Sequence, residues 1–218
     1  MLPTKTFEGL TKDKQKKIYD SAIKEFAEKG YSQASTTNIC KEANISKGSI
    51  FQYFQTKTAL FFFVVKNALR EVINHYKFDY EINAENLSLQ EIFSRSCRSL
   101  FDIYETYPYH YRLYQRINHE DDVPNYQEIR RYLAKFVSQM TTRFITVGKR
   151  RKLIREDISP DMMKFIVENF LIRFIEEFSE NAEPDGNGLH HSEEFLAHRI
   201  ELIDQVFTIL TQGISRKD

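Results

Sequence analysis

Tryptophan is absent from the 218 residues, cysteine occurs only twice, and glycine and proline number seven and five. Two cysteines, Cys40 and Cys97, cannot build a disulfide framework, and their separation fits no zinc motif. They read as two reduced, buried thiols. With so few breakers and no long Val/Ile/Thr alternation, a sheet-rich chain is excluded and an all-helical one remains. The longest apolar run, Ala59 to Val65, falls far short of the ~20 residues a membrane span needs. MLPTKTFEGL has no apolar core behind its charge, so no secretory leader is read there. The expectation is a soluble cytoplasmic protein with no membrane partner.

Catalytic signatures are missing too. There is no HExxH, no nucleophile elbow and no glycine-rich phosphate cradle. His190, His191, Glu194 and His198 lie close in sequence, but the first two fall in a polar stretch and read as a solvated loop rather than a metal site. The chain is therefore expected to be no enzyme, with no cofactor and no metal.

Net charge is zero, 31 basic residues balancing 31 acidic ones. The distribution is uneven. From Met1 to Leu60 ten lysines face six acidic residues, whereas the remainder holds 21 basic and 25 acidic residues. A basic head on an acidic body fits a chain of which only the head meets phosphate. Apolar residues make up 41%, with 18 Phe and 12 Tyr, enough to fill a sizeable core.

The stretch TTNICKEANISKGSIFQYFQTK, Thr36 to Lys57, reads as two short helices joined by a tight turn. Thr36 and Thr37 are candidate N-caps, and Ile39 and Ala43 share one helix face. Asn44 stands where the helix must stop, and asparagine tolerates the left-handed conformation a stop requires. Ser46 caps a second helix with Ile50 and Phe54 pointing inward. Its outward positions, Lys47, Gly48, Ser49, Gln52 and Tyr53, are small, polar or basic, as suits a helix lying in a DNA major groove.

These residues and their flanks resemble the N-terminal DNA-binding domain of the TetR family of bacterial transcriptional regulators, over about Lys16 to Val65. The resemblance is carried by Ser46 to Phe54 followed by Lys57, by Ala22, Phe26 and Gly30, and by Thr36, Thr37 and Ile39. It implies that Lys47, Gly48 and Ser49 approach base edges, that Tyr53 and Lys57 hold phosphates, and that Thr36 and Thr37 contact phosphate or base. Phe51 stands where the family usually has tyrosine, keeping a ring able to pack on a thymine methyl, and Ser49 where threonine is usual. The DNA-binding set is thus Thr36, Thr37, Lys47, Gly48, Ser49, Phe51, Gln52, Tyr53 and Lys57. The resemblance further implies a homodimer through the last two helices and a small-molecule effector.

Along the rest of the chain, a first helix is predicted from Thr11 to Glu28 with Gly30 as its stop. A fourth starts at Lys57, capped by Thr56, and runs to about Lys77, with a break over Phe78 to Leu87. Ser88 and Glu91 form a capping box for a fifth helix. Pro108 opens a sixth, Asn125 a seventh reaching Arg151, Ser159-Pro160 an eighth and Ser192 a ninth. The expected architecture is all-α with about nine helices. Residues 11–71 form a DNA-binding domain with the helix-turn-helix at about 36–54, and residues 72–218 an effector-binding and dimerisation domain.

The last two helices are apolar nearly all round, which calls for cover on two sides. Phe170, Phe174, Phe178, Ile203, Phe207 and Leu210 are the expected dimer positions. For the effector, the aromatic cluster Tyr104, Tyr107, His110, Tyr111 and Tyr114, with Phe93, Phe101 and Phe144, suits an apolar or amphipathic ligand. The function expected is a dimeric regulator, a repressor released from a near-palindromic operator by that effector. The alternatives are a helical dimer that binds a ligand or partner without touching DNA, and an activator of the same fold.

Overall fold

The structure, a computed structural model, describes residues 3–83, 87–95, 106–119, 123–180 and 193–214. Among these there is no strand. The helices are α1 (Lys5–Glu8), α2 (Lys12–Gln33), α3 (Thr36–Glu42), α4 (Lys47–Phe54), α5 (Lys57–Asn83), α6 (Pro108–His119), α7 (Tyr126–Arg150), α8 (Pro160–Glu180) and α9 (Glu193–Ile214), with a further helical stretch over 89–95. The chain divides into two compact units, Met1–Asn74 with Ile103–Arg130, and His75–Asp102 with Arg131–Asp218. These units are compact bodies and do not coincide with the division expected at 71/72.

Local chemistry sets the helix ends. Thr11, Ser46 and Ser159 each accept a backbone N–H of the first turn, at 3.4, 3.2 and 3.2 Å, and Thr56 accepts from Ala59 N at 3.0 Å. Ser88 and Glu91 form the reciprocal box: Ser88 N donates to Glu91 Oε2 at 2.7 Å and Glu91 N to Ser88 Oγ at 3.2 Å. Gly30, at φ 72°, interrupts α2, a conformation that glycine adopts without a Cβ penalty. The predicted break over Phe78 to Leu87 is not where α5 ends. Its backbone stays helical to Asn83, since Phe78 to Asn83 contains neither glycine nor proline to stop it.

The first unit is built on α2. Ile18, Ala22, Ile23 and Phe26 bury one stripe together with Ile39 of α3, Ile50 and Phe54 of α4, and Leu60, Phe61 and Val64 of α5. Phe26 meets Phe61 edge-on, 5.0 Å between centroids. Each such ring contributes about 1.5–3 kcal/mol by burial. Helix α1 packs against α4, and α6 against α2, placing Tyr111, Leu113 and Ile117 inside. Cys40 is buried here as a free thiol; burial pushes its pKa up and keeps it protonated. Cys97 lies outside the described residues.

The second unit has its own core of Leu89, Ile92, Phe93, Phe144, Ile145, Ile154, Met163, Val167, Ile203 and Phe207, among others. After α7, Lys152 takes φ 57° while Leu153 N donates to Gly148 O at 2.9 Å. That turn brings Ile154 back onto Gly148. Among the described residues no helix is long and apolar enough to cross a membrane.

Candidate nucleic-acid interface

The interface begins with how α3 stops. Asn44 adopts φ 52°, its N–H donating to Lys41 O at 3.2 Å, and Ile45 N donates to Cys40 O at 2.9 Å. This is the paired closure of a left-handed helix end, which satisfies carbonyls that would otherwise be orphaned. Ser46 then starts α4 within two residues, its Oγ also 2.7 Å from Ser49 Oγ. The turn is therefore as tight as asparagine allows, and α4 leaves α3 at a fixed angle.

On α4, Ile50, Tyr53 and Phe54 are buried, whereas Lys47, Gly48, Phe51 and Gln52 are exposed and Ser49 half-exposed. The exposed set lies at i, i+1, i+4 and i+5, one continuous stripe. Five of the expected contact residues, Lys47, Gly48, Ser49, Phe51 and Gln52, thus share the outward side of one helix.

The remaining four need restating. The cap of α3 is Ser35, whose Oγ accepts from Asn38 N at 3.4 Å. Thr36 and Thr37 are the first helical residues, half-buried and exposed respectively. Tyr53, expected outward, is 6% exposed and meets Phe7 edge-on at 6.1 Å between centroids. A ring tucked under α1 does not present a phosphate-holding face. Lys57 is engaged within the chain: its Nζ donates to Ser32 O at 3.0 Å and stands 4.9 Å above the Tyr31 ring.

Three supports escaped sequence reading. Helix α1 is the first: Phe7 is buried against Phe54 at 4.8 Å and Phe63 at 5.0 Å. Its only signal was one apolar residue in a polar stretch. Just before it, Thr4 N donates to Tyr53 O at 2.9 Å and Thr4 Oγ1 to Gln52 O at 2.8 Å. The second is Glu25, whose Oε1 accepts from Ser35 N at 2.8 Å and so fixes the entry to α3.

The third is a cluster where α2, α5 and α6 meet. Tyr19 O–H donates to Glu71 Oε2 at 2.9 Å, and His110 Nε2 donates to the same oxygen at 2.7 Å while lying 3.2 Å from the Tyr19 hydroxyl. Burial pushes the Glu71 carboxyl up, but the hydrogen bonds from His110 and Tyr19 outweigh it and hold it below the usual carboxylate value. Burial and the Glu71 charge push the Tyr19 phenol strongly upward. Arg116 Nη2 adds a second tie to α2, donating to Glu28 O at 3.0 Å.

The expected effector residues that the structure describes are divided between the two units. Tyr107, His110, Tyr111 and Tyr114 belong to the first unit, Phe93 and Phe144 to the second, where their rings are 6.4 Å apart in its core. Phe101 and Tyr104 lie outside the described residues. An open groove of about 570 Å³ runs along α7 instead, lined among the described residues by Lys135, Ser138, Gln139, Thr142, Thr146 and Val147.

Of the expected dimer positions, Ile203 and Phe207 are 1% and 9% exposed, covered by the chain's own interior, while the half-buried Phe170 packs against the same core. The side chains of Phe174, Phe178 and Leu210 lie outside the described residues, as do His190, His191 and the side chains of Glu194 and His198. No group of metal-ligating side chains occurs among the described residues.

The model of the tetR family of bacterial regulatory proteins matches residues 18–64, a segment that contains α3, the turn and α4. The biofilm operon negative transcriptional regulator IcaR of Staphylococcus epidermidis is 27% identical over 119 residues, 55% of this chain and 60% of the relative. The chain spans between 20% and 60% of the length of the curated relatives it matches. A TetR-family transcriptional regulator structure from Mesorhizobium loti covers 92% of this chain and 98% of its own at TM-score 0.73 and 18% identity. The transcriptional regulator FadR from Bacillus subtilis, solved in complex with stearoyl-CoA, covers 91% and 98% at TM-score 0.67 and 18% identity. Residues 18–64 thus match the DNA-binding segment of the tetR family, and the chain shares its fold over nearly its whole length with solved TetR-type regulators.

Proposed function

We propose that the chain is a dimeric, sequence-specific DNA-binding transcriptional regulator of the cytoplasm, a repressor released from a near-palindromic operator by a small apolar or amphipathic effector. The observation that carries this reading is the uncovered stripe Lys47, Gly48, Phe51 and Gln52 on α4, oriented by the Asn44 turn. A helix with a short side-chain-poor stretch, a lysine and an amide at its exposed positions fits a major groove. The lysine-rich head supplies the charge for phosphate contact. The description of IcaR as a negative regulator supports repression.

Functionally, 11–71 serves as the DNA-binding domain and 72–218 as the effector and dimerisation domain. Dimerisation uses side chains that the second unit leaves uncovered, Met162 and Phe165 on α8 and Ile209 on α9, in place of the core-facing Ile203 and Phe207. Two copies about a two-fold axis would place their reading helices ~34–36 Å apart, one turn of DNA. The acyl ligand of FadR supports an amphipathic effector, for which the α7 groove is a candidate docking place in the second unit. An effector that weakens DNA binding 100-fold needs about 2.7 kcal/mol of differential affinity for the released form.

Binding of the purified protein to the DNA upstream of its own gene, at two salt concentrations, tests this reading. Selective binding that weakens steeply with salt supports it. Binding that is absent from every duplex, or equal for all sequences, rejects it.

A further inference from the structure

Beyond Leu60 the charge of the chain is strongly segregated. Residues 61–218 hold 21 basic and 25 acidic residues. Nine of those basic residues, and none of the acidic ones, fall from Ile129 to Arg155, leaving twelve against 25 elsewhere. This stretch takes in most of α7. The helix dipole accounts for Lys149 and Arg150 in the last turn, and Lys149 is further held by donating to Ile158 O at 3.0 Å. It does not account for Arg131 and Lys135, which stand nearer the other end of the helix.

Arg131 and Lys135 are exposed and four residues apart, so two like charges adjoin on one face and repel. Among the described residues neither forms an ion pair. The same face continues through Ser138, Thr142 and Thr146. These, with Lys135, Gln139 and Val147, line the groove of about 570 Å³, and no residue of that lining is acidic. The volume lies within the range of about 300–1,000 Å³ that suits a small molecule. Its character changes along the helix. The cations stand at one end, and Val147, part of the buried core, closes the other, about 18 Å from Lys135 at 1.5 Å per residue. Thr142 and Thr146 donate their hydroxyl protons to Ser138 O and Thr142 O, at 2.8 and 2.7 Å. The donors that face a ligand are therefore concentrated at the Arg131 and Lys135 end.

We infer that this face of α7 is an anion-binding site, and that the effector is a small amphipathic molecule whose head carries a phosphate, held by Arg131 and Lys135, with its less polar end toward Val147. A doubly charged phosphate matches the two cations and accepts bidentate hydrogen bonds from arginine. As the seat of an effector, the site rests on the regulator reading above and adds to it the charge and orientation of the ligand.

Decyl phosphate, and decanol as the same chain without charge, are titrated calorimetrically into the full-length protein at one fixed salt concentration, below the concentrations at which they aggregate. Wild type is compared with Arg131→Gln/Lys135→Gln and with Lys152→Gln, an exposed lysine outside the groove lining; melting temperature reports the fold of each. Wild type is expected to bind decyl phosphate at least about tenfold more tightly than decanol, the double substitution to remove that advantage, and Lys152→Gln to keep it. Equal affinity for the two compounds overturns the assignment, as does an advantage that survives the double substitution or disappears equally in Lys152→Gln. A double variant that binds decyl phosphate normally but DNA more weakly, with a shallower salt dependence, also overturns it and makes the face a DNA-backbone contact. Release of a bound duplex by decyl phosphate from the wild type, and not from the double variant, supports the effector role; phosphate-selective binding that leaves the duplex in place overturns that role. Phosphate-selective binding by a protein that holds no duplex keeps the anion site and rejects the regulator reading.

Discussion

Thr4 and Gln52, 48 residues apart, are joined by a hydrogen bond in which the threonine hydroxyl donates to the glutamine carbonyl at 2.8 Å. The Thr4 N–H makes the same kind of bond to the next carbonyl, of Tyr53, at 2.9 Å. These carbonyls belong to the last turn of α4, where a helix has no partners of its own. A distant segment therefore caps the candidate reading helix and fixes its far end.

Removing that hydroxyl should loosen the helix rather than unfold the chain. Thr4→Val is expected to lower stability by about 0.5–1.5 kcal/mol and to weaken DNA binding by more than that loss explains. Thr4→Ser, which keeps the donor, should restore affinity. Parallel thermal unfolding and DNA titration separate the two effects. Equal DNA affinity for Thr4→Val and wild type would show that the cap does not position the helix.

The second unit offers a test of packing alone. A Cβ at Gly148 would collide with Ile154 Cδ1 and stand 2.8 Å from Cγ1, and Ile154 is fully buried. Gly148→Ala should therefore destabilise by about 1–3 kcal/mol through overpacking. Ile154→Val removes the nearer atom, so adding it to Gly148→Ala should recover part of the loss. Chemical denaturation of the three variants measures both steps.

The cluster of Tyr19, Glu71 and His110 predicts a pH response with two limbs. A carboxyl held below its ordinary value stabilises the fold above about pH 4.3 and loses that contribution as pH falls through the lower folded value. A phenol pushed up stays neutral in the fold, so stability is intact below about pH 10 and falls above it, where the unfolded chain ionises first. Glu71→Gln should flatten the acid limb and Tyr19→Phe the alkaline one. Melting temperature across the pH range, for wild type and both variants, gives the answer.

Association should depend on side chains that the single chain leaves in water. Phe165 is 64% and Ile209 70% exposed, so Phe165→Glu and Ile209→Glu are expected to leave the fold intact and shift a dimer toward monomer. Sedimentation at several concentrations reads this directly. Variants that sediment like the wild type would place the interface elsewhere.

Much of this was legible from residues that act locally. Asn44, the Ser88 and Glu91 box and the Ser159-Pro160 start each carry their instruction within four positions, and the structure follows them. Three hydroxyls in a row, Ser35, Thr36 and Thr37, are all competent caps, and only the Glu25 carboxylate, ten residues back, fixes the helix start after Ser35. Tyr53 was misplaced for a related reason. A face that looks outward in a three-helix unit is covered once α1 lies across it, and α1, four residues long, has no periodicity to read. Ile203 and Phe207 show the limit for association: an apolar stripe announces burial but not whose surface does the burying.

The first unit is discontinuous in sequence, Met1–Asn74 being completed by Ile103–Arg130. Its birth on a ribosome is correspondingly delayed. When Asn74 emerges, the α2 surface that α6 will cover is still wet, and Tyr19 and Glu71 still lack His110. The unit closes only after a further stretch of the other unit and the whole of α6 have been synthesised, some seconds later at about 5–20 residues per second. A nascent chain thus completes this unit only after His75–Asp102 of the other unit has been made, and while Arg131–Asp218 is still to come.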